Sequence, residues 1–162
     1  MEILLHFIKD AILAAIAAIG FGAISRIPQR AYLWCGLIAA IGHSLRFLLM
    51  LPAMGGLHII VATGIAALAI GTMAVFASPL AKTPAEAYLF PSLLPMIPGI
   101  YAYKSFGGAM MCLFGDNQDS FDFYFYQFAS NGFVCLAIIF AMTIGAILPI
   151  FTFKSTAFTA TR

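Results

Sequence analysis

The chain has 162 residues, 63% of them hydrophobic and 9% charged, and a mean hydropathy of +1.03. So few charges cannot coat a water-facing surface, which excludes a soluble globular domain. The net charge of +2 comes from eight Lys and Arg against six Asp and Glu scattered along the chain, so no basic face for nucleic acid is assembled. Three cysteines, Cys35, Cys112 and Cys135, are odd in number and set in apolar stretches, which indicates neither a disulfide framework nor a zinc site.

The opening MEILLHFIKD has no basic signal-peptide region and reads as the start of a first span. Residues 47 to 81 and 123 to 153 carry no formal charge, and each run exceeds the roughly 20 residues that a membrane helix needs. Arg26 to Arg30, Pro52 to Gly56, Ser78 to Pro84 and Gly115 to Asp122 punctuate the sequence. The expectation is an all-α integral membrane protein, one transmembrane domain over 1–162, with five helices at about 3–25, 31–51, 57–77, 87–113 and 123–152. Arg26, Arg30, Lys82, Lys154 and Arg162 fall on one side of this arrangement and the opposite loops hold no cation. That places the N-terminus outside and the C-terminus in the cytoplasm.

Small residues recur every four positions on four helices: Ala14, Ala18, Gly22; Gly36, Ala40, Ser44; Thr63, Ala67, Gly71; and Ala137, Ala141, Gly145. Such stripes let membrane helices approach closely. Phe121 and Phe123 to Tyr126 read as an interfacial aromatic anchor. Asp116, Asp119 and Asp122 lack the glycine and glutamate of a calcium loop and read as a solvated exterior loop.

The fourth helix carries Pro91 in its first turn, where the missing N–H costs little, and Pro95 and Pro98 further in. Interior prolines remove intrahelical bonds, so the expectation is a helix broken near Pro95 to Gly99, facing protein or a wet cavity. A half-helix starting near Pro98 would aim the N–H groups of Gly99, Ile100 and Tyr101 at a carboxylate. The alternative is a proline kink that only shapes the bundle. Lys9, Asp10, His43, Arg46 and Lys104 all fall in the outer half, and Arg46 and Lys104 beside the break would favour anions. Against this stand snorkelling for Lys9 and Arg46 and a satisfied core histidine instead of a proton relay for His43. Asn131 either bonds across helices or touches a ligand. The three histidines have no ligand spacing, and no catalytic motif is present, so neither a metal, a cofactor nor an enzyme is expected.

The runs ILAAIAAIGF (12–21), WCGLIAAIGHSLRFLLM (34–50) and LPMIPGIYAY (94–103) resemble the C-terminal membrane half of the threonine/serine exporter family. The nearest likeness is the small YjjB-like subunit of the version split into two proteins, over roughly residues 11–150. The resemblance implies a ten-span export carrier in which this chain supplies five spans. A YjjP-like partner would supply five more and a cytoplasmic region, giving halves of inverted topology in the cell inner membrane. It further implies efflux of threonine and serine, or of succinate for the split version. It marks Trp34, His43 and Arg46, and Pro95, Pro98, Gly99 and Tyr103, as functional positions without assigning their roles. Together with Tyr101, Lys104 and Asn131 these form the expected substrate site. A homo-oligomer and a non-transporting assembly subunit remain open alternatives.

Overall fold

The computed structural model describes residues 2–52, 56–115 and 120–153. Among these, every regular element is helical. They are α1 (Glu2–Ile24), a 3-10 turn at Gln29–Ala31, α2 (Tyr32–Met50), α3 (Ile59–Ala81), α4 (Ala85–Leu93), a 3-10 turn at Leu94–Met96, α5 (Gly99–Phe114) and α6 (Phe121–Thr152). Four stretches are long and apolar enough to cross a membrane: Ile3–Ile24, Gln29–Met50, Ile59–Leu80 and Phe121–Thr152. α4 has 9 residues and α5 has 16, each short of a span of about 20. Asp116 and Asp119 of the expected acidic loop, and Lys154 and Arg162, lie outside the described residues.

Three boundaries differ from those expected, each for a local reason. α3 begins at Ile59, because the His58 side chain accepts from the Ile60 N–H and so caps it. It runs on through Pro79 to Ala81 and stops where Lys82 adopts φ 48°, with the Lys82 N–H on the Ser78 carbonyl. α4 then starts at Ala85 behind Pro84, whose carbonyl accepts from the Ala87 N–H. Pro91 therefore lies inside this helix and not in its first turn.

The chain divides into two compact units. The first joins the described residues up to Met96 with those from Ala141 onward; the second is Ile97–Phe140. In the first unit α1, α2, α3 and α4 pack on one another around a core rich in small side chains: Ala31, Cys35, Ile38, Ala66, Ala67, Ile70, Ala74 and Val75, closed by Tyr88 and Met96. Ala14, Ala18, Thr63 and Ala67 of the four-residue stripes are buried to within a few percent. A methyl at Gly71 would strike the Ala146 carbonyl, and one at Gly145 would strike the Gly64 carbonyl. These two glycines set the spacing of α3 against the last turns of α6, since without a Cβ the backbones can approach.

In the second unit α5 lies against the first turns of α6. The Ser105 hydroxyl donates to the Phe128 carbonyl at 2.9 Å. At Gly108, any Cβ would sit 2.7 Å from both the Phe128 nitrogen and the Tyr124 carbonyl oxygen. Beside that contact is a recess of about 460 Å³ lined by Phe106, Phe125, Phe128 and Leu136 with Ala102 and Gly132. It is apolar and carries no cation.

Candidate functional site

Prolines within a helix release carbonyls that the chain must pair elsewhere, because lipid supplies no donor. Pro91 has no N–H for the Ala87 carbonyl, Pro95 none for Pro91 and Pro98 none for Leu94. In the first unit the side chains of α2 serve this stretch. Cys35 Sγ donates to the Ala87 carbonyl at 3.8 Å, the very group that Pro91 leaves without its helical partner. Ser92 Oγ returns a bond to the Cys35 carbonyl at 3.1 Å. One α2 cysteine thus fastens α4 in both directions.

About three turns further along α2, Arg46 Nη1 donates to the Met96 carbonyl at 3.2 Å, at the end of the 3-10 turn. Arg46 Nη2 lies 2.9 Å from His43 Nε2. His43 and Arg46 are three apart, so they share one helix face. A guanidinium only donates, so Nε2 accepts, and a neutral His43 ring carries its proton on Nδ1. That nitrogen is buried with no hydrogen-bond partner among the described residues. The Pro95 carbonyl acts on the same ring but lies outside hydrogen-bond geometry for Nδ1. Asp10 on α1 is the acid that interacts electrostatically with both His43 and Arg46. Lys9 and His6 beside it are exposed.

His43, Arg46 and Pro95 are therefore brought together, with Asp10 and the Met96 carbonyl as companions. Trp34 is half-buried against the same unit's core, but its position nine residues before His43 puts it roughly 13 Å away along α2. The remaining expected residues belong to the second unit. There Pro98 has φ −78° and ψ 59°, and the Gly99 N–H donates to the Ile97 carbonyl at 2.8 Å; this is an inverse γ-turn. The Gly99 N–H is thus already used, which leaves Ile100 and Tyr101 as the first-turn donors of α5. The Ala102 N–H closes that turn on the Pro98 carbonyl at 3.1 Å. Pro98 is buried and Tyr101 half-buried, while Gly99, Tyr103 and Lys104 are exposed. Asn131 Nδ2 donates to the Gln127 carbonyl of its own helix at 2.7 Å.

Sequence reasoning singled out Arg46 and His43 but missed what they serve. It also passed over Cys35 and Ser92 as binding partners of α4. For Cys35 the available signal was the Ala87 carbonyl, four residues before Pro91, which identifies a group in need of a donor without identifying the donor; Met96, the acceptor of Arg46, stands four residues before no proline.

Arrangements of this kind suit small charged solutes: a cation fixed at a helix interruption, an acceptor carbonyl beside it and an acid within electrostatic reach. A family model described as Threonine/Serine exporter, ThrE, matches residues 10–152. No solved structure matches the chain. The chain belongs to the threonine/serine exporter family and is a multi-pass membrane protein of transporter type.

Proposed function

With that membership as premise, we propose that the chain is the membrane subunit of a secondary exporter for hydroxy amino acids or small dicarboxylates, residing in the cell inner membrane. In this reading α4, the 3-10 turn and α5 together make a fifth, interrupted crossing. The N-terminus lies outside, and a second five-span subunit with a cytoplasmic region completes an inverted pair. The observation that carries it is Arg46 anchored at the interruption, bonded to His43 and to the Met96 carbonyl. A fixed cation at a helix break is expensive in a bilayer unless it serves a solute or its counter-group.

One observation favours a second reading. Both bonds of Arg46 go to groups of the protein itself, and the one to Met96 closes a carbonyl at the break. A cation used in that way suits a subunit that holds a larger assembly together without transporting.

Efflux from cells loaded with labelled threonine, and separately with labelled succinate, distinguishes the two. Arg46→Ala and Arg46→Gln are expected each to cut efflux at least tenfold with the protein still present in the membrane and still recovered with its partner. Loss of partner recovery at unchanged efflux per assembled complex supports the assembly reading. Unchanged efflux and unchanged recovery in both variants removes the anion site.

A further inference from the structure

We propose that the recess between α5 and α6 is a binding site for one phospholipid, whose acyl chain lies along the recess and whose amine-bearing headgroup, as in phosphatidylethanolamine, meets Asp122 at its mouth. Every group involved lies in the second unit, and the site is independent of which solute is carried. It requires only that the first turns of α6, part of the apolar stretch Phe121–Thr152, lie in the bilayer.

The floor of the recess is one face of α6. The α6 residues that line it run from Phe125 to Leu136 at positions i, i+3, i+4, i+7, i+8 and i+11, which is the spacing of a continuous helical stripe. The depression exists because small residues sit among rings: Ala129 and Gly132 lie between Phe128 and Phe133, and Ala102 joins them from α5. Gly132 keeps the floor low, since a Cβ there would come within 3.0 Å of Ser105 Oγ, the hydroxyl tied to the Phe128 carbonyl. The Phe125 and Phe128 rings pack on each other with centroids 6.2 Å apart. The walls are thus set by the protein's own packing.

Length and width select the occupant. From Phe125 to Leu136 the stripe rises about 16 Å at 1.5 Å per residue, close to the roughly 15 Å depth of one leaflet's hydrocarbon. It begins among the aromatic residues Phe121 to Tyr126, which suit the interface with the headgroups. An acyl chain entering from that level reaches the midplane where the recess ends. A helix about 10 Å across would fill on the order of 1200 Å³ over the same length, whereas the recess holds about 460 Å³.

Charge at the mouth selects the headgroup. Asp122 stands three residues before Phe125 and so continues the same stripe, and it is exposed. No Lys or Arg occurs between Lys104 and Lys154, and Lys104 lies about 15 Å of helix before the end of α5 at Phe114. An anionic headgroup would therefore set its charge against a carboxylate with no cation to offset it. An ethanolamine headgroup brings an ammonium, which offers three donors and no acceptor and pairs with Asp122. Tyr126, four residues after Asp122 and exposed, adds an amphipathic ring at headgroup level.

The test uses the full chain purified with its native partners, equilibrated in vesicles of phosphatidylethanolamine and phosphatidylglycerol that share the same acyl chains, and re-extracted in detergent. The lipid that stays bound is counted by mass spectrometry, and each variant is compared with the unaltered chain so that lipids held elsewhere cancel. Asp122→Asn is expected to lower the bound ratio of phosphatidylethanolamine to phosphatidylglycerol about fivefold, the scale of one interfacial ion pair. Ala129→Leu, which fills the recess, is expected to release both lipids while the complex stays intact. An unchanged ratio in Asp122→Asn overturns the proposal, and because that residue is exposed this arm does not depend on a repacked interior. Unchanged retention in Ala129→Leu overturns it as well. Loss of a partner from Ala129→Leu at unchanged lipid would give the recess to a helix of that partner instead.

Discussion

The pairing of His43 with Arg46 makes a titratable ring the acceptor for a permanent cation. Neutral imidazole has one lone pair to offer and imidazolium has none, so protonating His43 ends the 2.9 Å contact and sets two cations side by side. Few other groups bear on the ring. Asp10 comes from α1, with Lys9 and His6 exposed beside it. α3 carries no titratable side chain, and the stretch 85–96 has only Glu86 and Tyr88, near its far end. Arg46 therefore keeps both of its bonds only while His43 is neutral, and the one to His43 is lost as the pH falls through the titration of the ring. Threonine efflux is expected to decline on acidification of the medium facing this half of the protein. His43→Gln, whose side-chain oxygen accepts without titrating, is expected to retain efflux and to lose the acid decline. Efflux measured against pH for the two proteins checks this, and superimposable profiles would contradict it.

Helix packing in lipid depends on how closely backbones meet, and two adjacent glycines of α5 separate that effect from helix propensity. Gly107 has nothing within 4 Å of where a Cβ would be, whereas at Gly108 the Cβ would meet the backbone of Phe128 and Tyr124. Gly107→Ala is expected to be neutral or to stabilise by up to about 1 kcal/mol, the ordinary gain for alanine in a helix. Gly108→Ala is expected to destabilise by about 1 to 3 kcal/mol, the range for forcing an extra carbon into a packed contact. Thermal unfolding in detergent distinguishes them, and equal shifts would mean that α5 and α6 do not meet there. Gly71→Ala against the control Gly20→Ala, which also has open space, extends the comparison to α3. Much of this level could be read from sequence. α3 and α6 follow from long runs without a formal charge, α1 and α2 from apolar stretches bounded by the Arg26 to Arg30 turn and Pro52, and the buried positions Ala14, Ala18, Thr63, Ala67 and Gly71 follow from their four-residue spacing. The contact at Gly108 escaped because α5 carries no such stripe. The interruption between α4 and α5 was legible as a loss of donors at Pro91, Pro95 and Pro98, but the replacement at Ala87 is Cys35, 52 residues away, and Arg46 serves the Met96 carbonyl from 50 residues away. No local pattern reports a partner at that separation. Pro91 was misplaced for a related reason: the start of α4 is set by Pro84, two residues before the apolar run suggested.

At the level of the whole molecule, orientation follows from a few cations. Arg26, Arg30 and Lys82 lie in the turns after α1 and α3, and Arg30 Nη2 donates to the Lys82 carbonyl at 2.9 Å, so these two turns meet at one end of the first unit. The turn between α2 and α3 holds no cation. The bias of Lys and Arg towards cytoplasmic loops predicts the Arg30 and Lys82 end inside and the α2 to α3 turn outside. Single cysteines introduced as Arg30→Cys, Lys82→Cys and Leu57→Cys, with Cys35, Cys112 and Cys135 replaced by serine, test this in intact cells. A membrane-impermeant thiol reagent is expected to label position 57 and to leave 30 and 82 unlabelled until the cells are opened. Label at 57 and 82 from the same side would mean that α3 does not cross. Label at 30 and 82 but not at 57 would reverse the orientation, and with it the side from which Arg46, four residues before the end of α2, is reached. The labelling pattern thus decides from which side of the membrane a solute would first meet Arg46.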